Sequence, residues 1–351
     1  MKVLVIEREL IRHNAGVVRE KAGSASVYAV LPGDAYGAGL EDLAKLLREE
    51  GFGRFAVMEP ADAALLRKAG LVDEEILMLR STTDREDLDR LIDLGAICTI
   101  GSYDAGVALN GLAEARSTVA EAHVLVDTGG GYGGFLSGEP DKILSMYRYL
   151  PNVALSGLYT QLPSGGRAAA EQLEVFEQVV QSVRSAGFET GIIHVGGSGI
   201  LLSDRPPLVG AVHVGTEFLG RGRRTKGDGL RKVGFGEARL EEIRWLPRGH
   251  TVGSGKPVTI RRPVRAAVLP VGRLDGFGVS QTRGGLWELL RFWWRGRTPS
   301  IRIGEQRTQV IGGIGPLETL VDVTDLKCAP GDRVTFELDP LSARGLERIY
   351  R

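Results

Sequence analysis

Between about Ala25 and Gly220 the chain alternates, eight times over, between a short apolar run and an amphipathic stretch. The runs are VYAVL (27–31), FAVM (55–58), ILML (76–79), ICTI (97–100), HVLVDT (123–128), VALSGLYT (153–160), IIHVGG (192–197) and AVHVGT (211–216). Between them lie helical patterns such as LEDLAKLLREEG, EPADAALLRKAG, DREDLDRLIDLG and EQLEVFEQVVQSVRSAGF, many closed by glycine. A strand followed by a helix, repeated, buries both partners as a parallel sheet covered by helices. An open doubly wound sheet has about five to seven strands; eight repeats predict an α/β fold closed as a (β/α)8 barrel.

The pattern changes after Arg221. RGRRTKGDGLRK is basic and reads most simply as a solvated connection, with a lesser reading as a collector of anionic ligands. Beyond it, PVTIRRPVRAAVLPV, SIRIGEQRTQVIGGIG, ETLVDVTDL and DRVTFEL are strand-like with no long helix between most of them. The expectation is a barrel over 9–225 and a C-terminal all-β domain over 232–351, to which residues 1–8 are assigned. KVLVIE at the start also lies within pairing reach of the barrel.

Acidic and basic side chains balance at 44 each, so no overall field draws the chain to nucleic acid. Cys98 and Cys328 are the only cysteines, too few for a disulfide framework or a cysteine zinc site. His123 and His194 fall inside strand patterns and read as buried, hydrogen-bonded residues rather than metal ligands; His13 and His250 read as surface residues. No metal is expected. The first apolar run stops at Glu7, short of a secretory segment, which makes the cytoplasm the default location.

Barrels of this kind build their sites at the C-terminal ends of the strands. Those ends carry Pro32, Asp34 and Tyr36, then Asp127 and Tyr132, then Tyr159 and Gln161. The last two strands bring His194, Gly196, Gly197 and Ser198, and His213, Gly215 and Thr216. GGSG (196–199) and VGTE (214–217) sit where barrels commonly hold phosphate on loop amides, though tight turns alone also explain the glycines.

A set of blocks in order resembles the alanine racemase family, two-domain enzymes that use pyridoxal phosphate (PLP). They are LIRHNAGVVRE, YAVLPGDAYGAGL, FAVMEPADAALLRKAG, HVLVDTGGGYGGF, GLYTQL, HVGGSGILL, AVHVGTEFLGR, VLPVGRLDGF and ETLVDVTDL. The resemblance implies the barrel, the β domain and a head-to-tail homodimer. It also implies two bases flanking the substrate: a lysine that carries PLP as a Schiff base, and an opposing tyrosine. Here Pro32 stands at the lysine position and Arg273 at the tyrosine position. None of the nine lysines sits at the first strand end. Two-base racemisation takes the α-proton from one face and returns it on the other, so these changes remove both participants. His213 aligns with an arginine that meets the PLP pyridine nitrogen, Gln161 with a histidine, Tyr132 with an arginine, and Leu125 with a lysine that can be carbamylated. Tyr36, Ser198, Gly215 and Thr216 align with groups that hold the PLP phosphate. The resemblance therefore implies an anion cup kept beside an altered pocket lined by Asp34, Tyr132, Gln161 and His213, with a partly cationic character from His213 and Arg273.

Between 283 and 299 lies RGGLWELLRFWWRGRTP, where the family has a short link. At helical period Trp287, Phe292, Trp293 and Trp294 join a wide apolar face that needs cover. Its own barrel or dimer mate, a membrane surface met through 286–294, or a protein groove would each supply it, and the membrane option would place the protein at the inner membrane face.

Taken together, the chain reads as an alanine-racemase-like pseudoenzyme that binds a ligand, scaffolds or regulates. A second reading is PLP-independent chemistry on a small anionic or phosphorylated substrate, and a third is residual amino-acid racemisation. No cofactor is expected beyond noncovalent PLP or another phosphate-bearing ligand.

Overall fold

The computed structural model describes residues 1–163, 166–197, 209–221, 227–253, 257–279 and 299–351. Two compact units divide the chain, one over Glu9–Lys232 and one formed by Met1–Arg8 with Val233–Arg351.

The order begins with β1 (Val3–Ile6), α1 (Arg8–Ala22) and β2 (Ser26–Val30), then a helical turn at Pro32–Tyr36. It continues with α2 (Leu40–Glu49), β3 (Arg54–Val57), α3 (Pro60–Lys68), β4 (Glu75–Met78), α4 (Arg85–Asp93) and β5 (Cys98–Ile100). Next come α5 (Tyr103–Ala115), β6 (Ala120–Asp127), β7 (Phe135–Leu136), α6 (Pro140–Tyr149) and β8 (Val153–Gln161). α7 (Arg167–Ser185), β9 (Ile192–Gly196) and β10 (Ala211–Val214) complete the first unit. Its strands pair in parallel in the order β4-β3-β2-β10-β9-β8-β6-β5, with β7 at the side of β6. The ring closes between β4 and β5, where Met78 N–H donates to Ile97 O at 2.9 Å and Ile97 N–H to Ile76 O at 2.8 Å. This is the (β/α)8 barrel that the eightfold alternation predicts.

The helices follow from their spacing. In α2, Leu40, Leu43, Ala44, Leu46 and Leu47 recur every three to four residues and are all buried. Asp84 and Ser102 cap α4 and α5 by accepting from Asp87 N–H and Ala105 N–H. Gly51 and Gly70 follow α2 and α3 with φ of +87° and +94°, a left-handed stop that a side chain resists. The strands are nearly continuous apolar runs because both faces are covered, one by helices and one by the barrel interior. Tyr28, Ala56, Leu77, Leu79, Ile97, Leu125, Tyr159 and Ala211 form that interior cluster.

The second unit holds β11 (Phe235–Arg239), β12 (Ile243–Leu246), β13 (Thr251–Val252), β14 (Val258–Thr259) and β15 (Val264–Leu269). It continues with β16 (Ile301–Ile303), β17 (Gln306–Thr308), β18 (Thr319–Asp322), β19 (Arg333–Phe336) and β20 (Glu347–Tyr350). Six strands form one sheet in the order β17-β16-β19-β11-β1-β20; β12-β15-β18 form a second, and β13 and β14 a hairpin. KVLVIE does not pair with the barrel. The barrel strand β2 already has β3 and β10 on its two sides, so it offers no edge, and β1 lies antiparallel to β11 and parallel to β20.

The basic connection, expected as a solvated linker, alternates between exposure and burial over its described second half, with Gly227, Gly229, Arg231 and Lys232 exposed. Asp228 and Leu230 are buried, and Asn14, fully buried on α1, bonds the segment. Its amide donates to Phe218 O at 3.0 Å and Arg231 O at 2.8 Å, and its oxygen accepts from Arg231 N–H at 2.8 Å. His13, expected at the surface, is half-buried and bonds Gly229 O through Nε2 at 2.8 Å. Asn14→Leu keeps the volume and strands three backbone groups, each costing about 1–3 kcal/mol. Urea denaturation should therefore show a loss of roughly 3 kcal/mol or more, and an unchanged midpoint would refute the anchoring role.

Candidate functional site

Along a barrel strand alternate residues face inward, and on β6, β8, β9 and β10 the inward positions include an unusual number of polar groups. His123, His194 and His213 are 1%, 0% and 4% exposed. They bond one another in a column. His213 Nε2 lies 2.7 Å from His194 Nδ1, and His194 Nε2 lies 2.9 Å from His123 Nδ1. At the C-terminal end of β8 the Gln161 amide nitrogen lies 3.3 Å from His213 Nδ1. Tyr159 stacks on His194 at 4.6 Å with rings 11° from parallel, and Tyr28 is 5.1 Å from the same ring.

Glycines make the space. A Cβ on Gly157, the residue opposite His123 across the β6–β8 pairing, would come within 2.5 Å of the imidazole. The β6–β8 register shifts between Ala122 and His123, which brings that glycine into place. A Cβ on Gly196 would meet the Gln161 oxygen at 1.7 Å, and one on Gly215 the Tyr36 hydroxyl at 2.2 Å. Three site side chains thus each occupy a notch left by a missing methyl.

At the N-terminal ends of the strands the column faces a charged cluster. Arg54 donates to both oxygens of Glu75 at 2.6 and 3.0 Å and to Ser26 Oγ at 2.6 Å; Tyr28 donates to Glu75 at 3.0 Å. Burial is the largest single influence on Glu75 and works to raise its pKa, but the hydrogen bonds and charge of Arg54, with the Tyr28 hydrogen bond, together hold the carboxylate below its usual range. Burial is the main cause that lowers the histidines, to about 4 for His123 and about 3 for His213, with His194 well below 6.5. All three rings are neutral near pH 7. The partly cationic pocket expected from His213 is therefore not present: a dry barrel interior disfavours imidazolium.

The residues expected at the pocket fall into separate groups. The turn after β2 is left-handed, with φ near +55° at Gly33, Asp34, Ala35 and Tyr36. Such a conformation costs a non-glycine residue about 1–2 kcal/mol and persists only where its surroundings enforce it. It brings the Tyr36 hydroxyl against Gly215, so these two cup residues do meet. Asp34 is spent on the fold, accepting from Leu40 N–H at 2.8 Å. Thr216 opens a short 3₁₀ turn, Thr216–Leu219. The Gly215 amide, assigned by resemblance to phosphate, donates to Glu217 Oε2 at 3.3 Å, and Glu217 Oε1 is buried with no hydrogen-bond partner among the described residues. Tyr132 is 93% exposed on a loop whose Gly129 and Gly131 amides donate to Asp127. Leu125 is buried in the interior cluster. Arg273 belongs to the other unit, exposed in the 3₁₀ turn Arg273–Asp275. Ser198, and Trp287, Phe292, Trp293 and Trp294 with the whole stretch 286–294, lie outside the described residues.

Sequence reasoning placed His123 and His194 in the interior but did not see them joined, and it passed over Glu75 and Glu217. The signal was present in the parity of the strands: His123, His194 and His213 all fall on inward positions, as Tyr159 and Gln161 do. Among the described residues no group of histidines, cysteines or carboxylates is placed to hold a metal ion.

The neutral column makes stability acid-sensitive. Unfolded histidines titrate near 6.5, so below that pH the unfolded state binds more protons and the native state loses stability until the folded pKa values of about 4 and 3 are reached. By pH 5 the loss is about 2 kcal/mol for each of His123 and His213, and His194 adds in the same direction. Urea titrations at about pH 7.5 and pH 5 should register it; equal stabilities would mean the rings are not buried and neutral. Gly157→Ala forces a methyl into the His123 ring and should cost roughly 1–3 kcal/mol in the same assay at neutral pH, whereas a neutral result would place His123 elsewhere.

Residues 6–220 match the family description "Alanine racemase, N-terminal domain", and residues 236–343 match "Alanine racemase, C-terminal domain". Alanine racemase 1 of Clostridium acetobutylicum is 26% identical over 94% of this chain and 84% of its own length. The alanine racemase of Halothermothrix orenii is 27% identical over 98% and 88%. In three dimensions the alanine racemase of Clostridium difficile 630 superposes with a TM-score of 0.86 at 21% identity, covering 100% of this chain and 95% of its own. The Bartonella henselae alanine racemase, solved with covalently bound pyridoxal phosphate, superposes at 0.81 with 19% identity, covering 100% and 99%.

The described residues do not fit PLP held as a Schiff base. Pro32 has no amine, and the described lysines of this unit (Lys21, Lys45, Lys68, Lys142 and Lys232) lie on helices or the final connection, none on a strand. Both ring nitrogens of His213 are engaged, and the Gly215 amide faces a carboxyl oxygen. With both domain types matched across most of its length, the chain nonetheless belongs to the alanine racemase family.

Proposed function

We propose that this member of the alanine racemase family does not racemise through PLP, and acts as a ligand-binding pseudoenzyme with a scaffolding or regulatory role. The observation that carries the reading is the end of β2, where Pro32 enters a left-handed turn with no amine within the strand ends. Racemisation through a Schiff base needs that amine both to hold the cofactor and to move a proton, so one absent side chain removes two functions. Arg273, at the position of the opposing base, offers a guanidinium, a group with five donors and no acceptor. The Glu217 carboxyl at the Gly215 amide further disfavours a phosphate there, because an arriving anion must displace an acceptor oxygen.

The same reading takes the head-to-tail homodimer from the family, a cytoplasmic setting, and 286–294 as a docking segment for a membrane surface or another protein. Among the described residues no helix is long and apolar enough to cross a membrane.

The test is direct. Purified protein mixed with PLP, treated with borohydride and digested should yield no lysine carrying a pyridoxyl group, and L-alanine should keep its configuration on incubation with the mixture. A reduced adduct on any lysine together with racemisation would overturn the proposal; light scattering on the same sample should give twice the chain mass.

A further inference from the structure

The interior of this barrel holds a continuous line of nitrogen atoms that the family reading does not use. Each neutral imidazole has one N–H and one bare nitrogen, so in a line of N···N contacts every ring must point the same way. With the Gln161 amide donating to His213 Nδ1, His213 donates from Nε2 to His194 Nδ1, and His194 donates from Nε2 to His123 Nδ1. That leaves the His123 Nε2–H as the last donor. If Gln161 turned its oxygen to His213, every tautomer would have to reverse. We propose that Gln161, His213, His194 and His123 form a single tautomer-coupled relay, in which the orientation of the Gln161 amide at the barrel mouth sets the tautomer of all three rings down to His123.

Each ring carries one proton in either direction of the line, so the column keeps its charge when all three tautomers invert.

Several features favour this over a set of histidines that merely fill space. The rings sit 4.8 and 4.9 Å apart between centroids, and their hydrogen bonds are short. Gly157 and Gly196 clear the two ends, against His123 and against Gln161. A barrel interior needs only apolar volume for stability, and apolar residues at all of these positions together would supply it with no polar group to satisfy. The other ionisable groups around the column are Tyr28, which touches all three rings, Tyr159, which stacks on His194, and the Arg54–Glu75 pair. Both tyrosines have pKa values raised by burial and stay protonated, so neither interrupts the line with a charge. Glu75 stays a carboxylate, its pKa held below the usual range by Arg54 and Tyr28 against the effect of burial.

The relay is tested by nitrogen-15 NMR of the imidazoles in the intact chain, where Nδ1–H and Nε2–H tautomers give distinct shifts. In the native protein at neutral pH, His123, His194 and His213 should all be Nε2–H. A ring with the tautomer opposite to its neighbour would overturn the proposal with no variant needed. Gln161→Glu replaces a donor by a carboxylate that accepts, and should convert all three rings to Nδ1–H, including His123 at the far end. A change confined to His213, whether to the other tautomer or to imidazolium, would sink the coupling. In a chain that also carries His194→Phe, the Gln161→Glu change should no longer reach His123; if it does, the signal runs by another route and the relay fails. Should Gln161→Glu not fold, Gln161→Met removes the donor alone, and all three rings should lose their single tautomer together.

Discussion

An imidazole taken out of water must find an acceptor for its N–H and a donor for its bare nitrogen. That requirement organises the centre of this barrel. His123, His194 and His213 meet it by serving one another, and the arrangement succeeds only because Gln161 starts the line and glycines on neighbouring strands leave room for the rings. Protonation would place like charges within a few ångströms in a dry interior, so the column is held neutral by the same burial that orders it. Tyr159 and Tyr28 complete the packing with flat faces and send their hydroxyls outward, Tyr159 to Leu79 O and Thr99, Tyr28 to Glu75. Nothing in this set can be exchanged for an ordinary apolar residue without leaving a neighbour's hydrogen bond unmade.

The fold was legible because hydrophobic periodicity is a repeated signal. Eight apolar runs survive errors of one or two residues at each boundary, and every one of them became a barrel strand. The site was less legible. Alignment to the family's motifs found Pro32, Gln161 and His213, since each is a single departure inside a recognisable block. It could not show that His213 is neutral, because that depends on burial, which a motif does not carry. Nor could it show where Glu217 turns its side chain: a carboxylate two residues after Gly215 reads as an ordinary turn residue until the backbone brings it back to the amide. The connection at Gly227–Lys232 looked solvated from its charge, yet Asp228 and Leu230 are buried and Asn14 on α1 bonds Arg231.

The two ends of the candidate site differ in kind. Around Tyr36 a strained left-handed turn brings the tyrosine hydroxyl against Gly215. Strain of this kind persists only where the surrounding structure enforces it. Around His213 a neutral ring, bonded at both nitrogens, leads inward along the column.

The pairing of β1 with both β11 and β20 also sets an order of assembly. The barrel unit is one uninterrupted stretch, and its contacts are satisfied once residue 232 has been made. β1 is made before the barrel, with Val3, Leu4 and Val5 destined to pair with β11 and Val3 to Ile6 with β20, both beyond the barrel in sequence. A short, fully buried apolar strand must therefore stay unpaired through the synthesis of more than two hundred residues before its sheet exists. During that interval VLVI is an exposed strand edge, the kind that chaperones cover and that neighbouring chains can capture. The sheet unit is thus the slow partner in biogenesis, its completion waiting on the union of the two ends of the sequence.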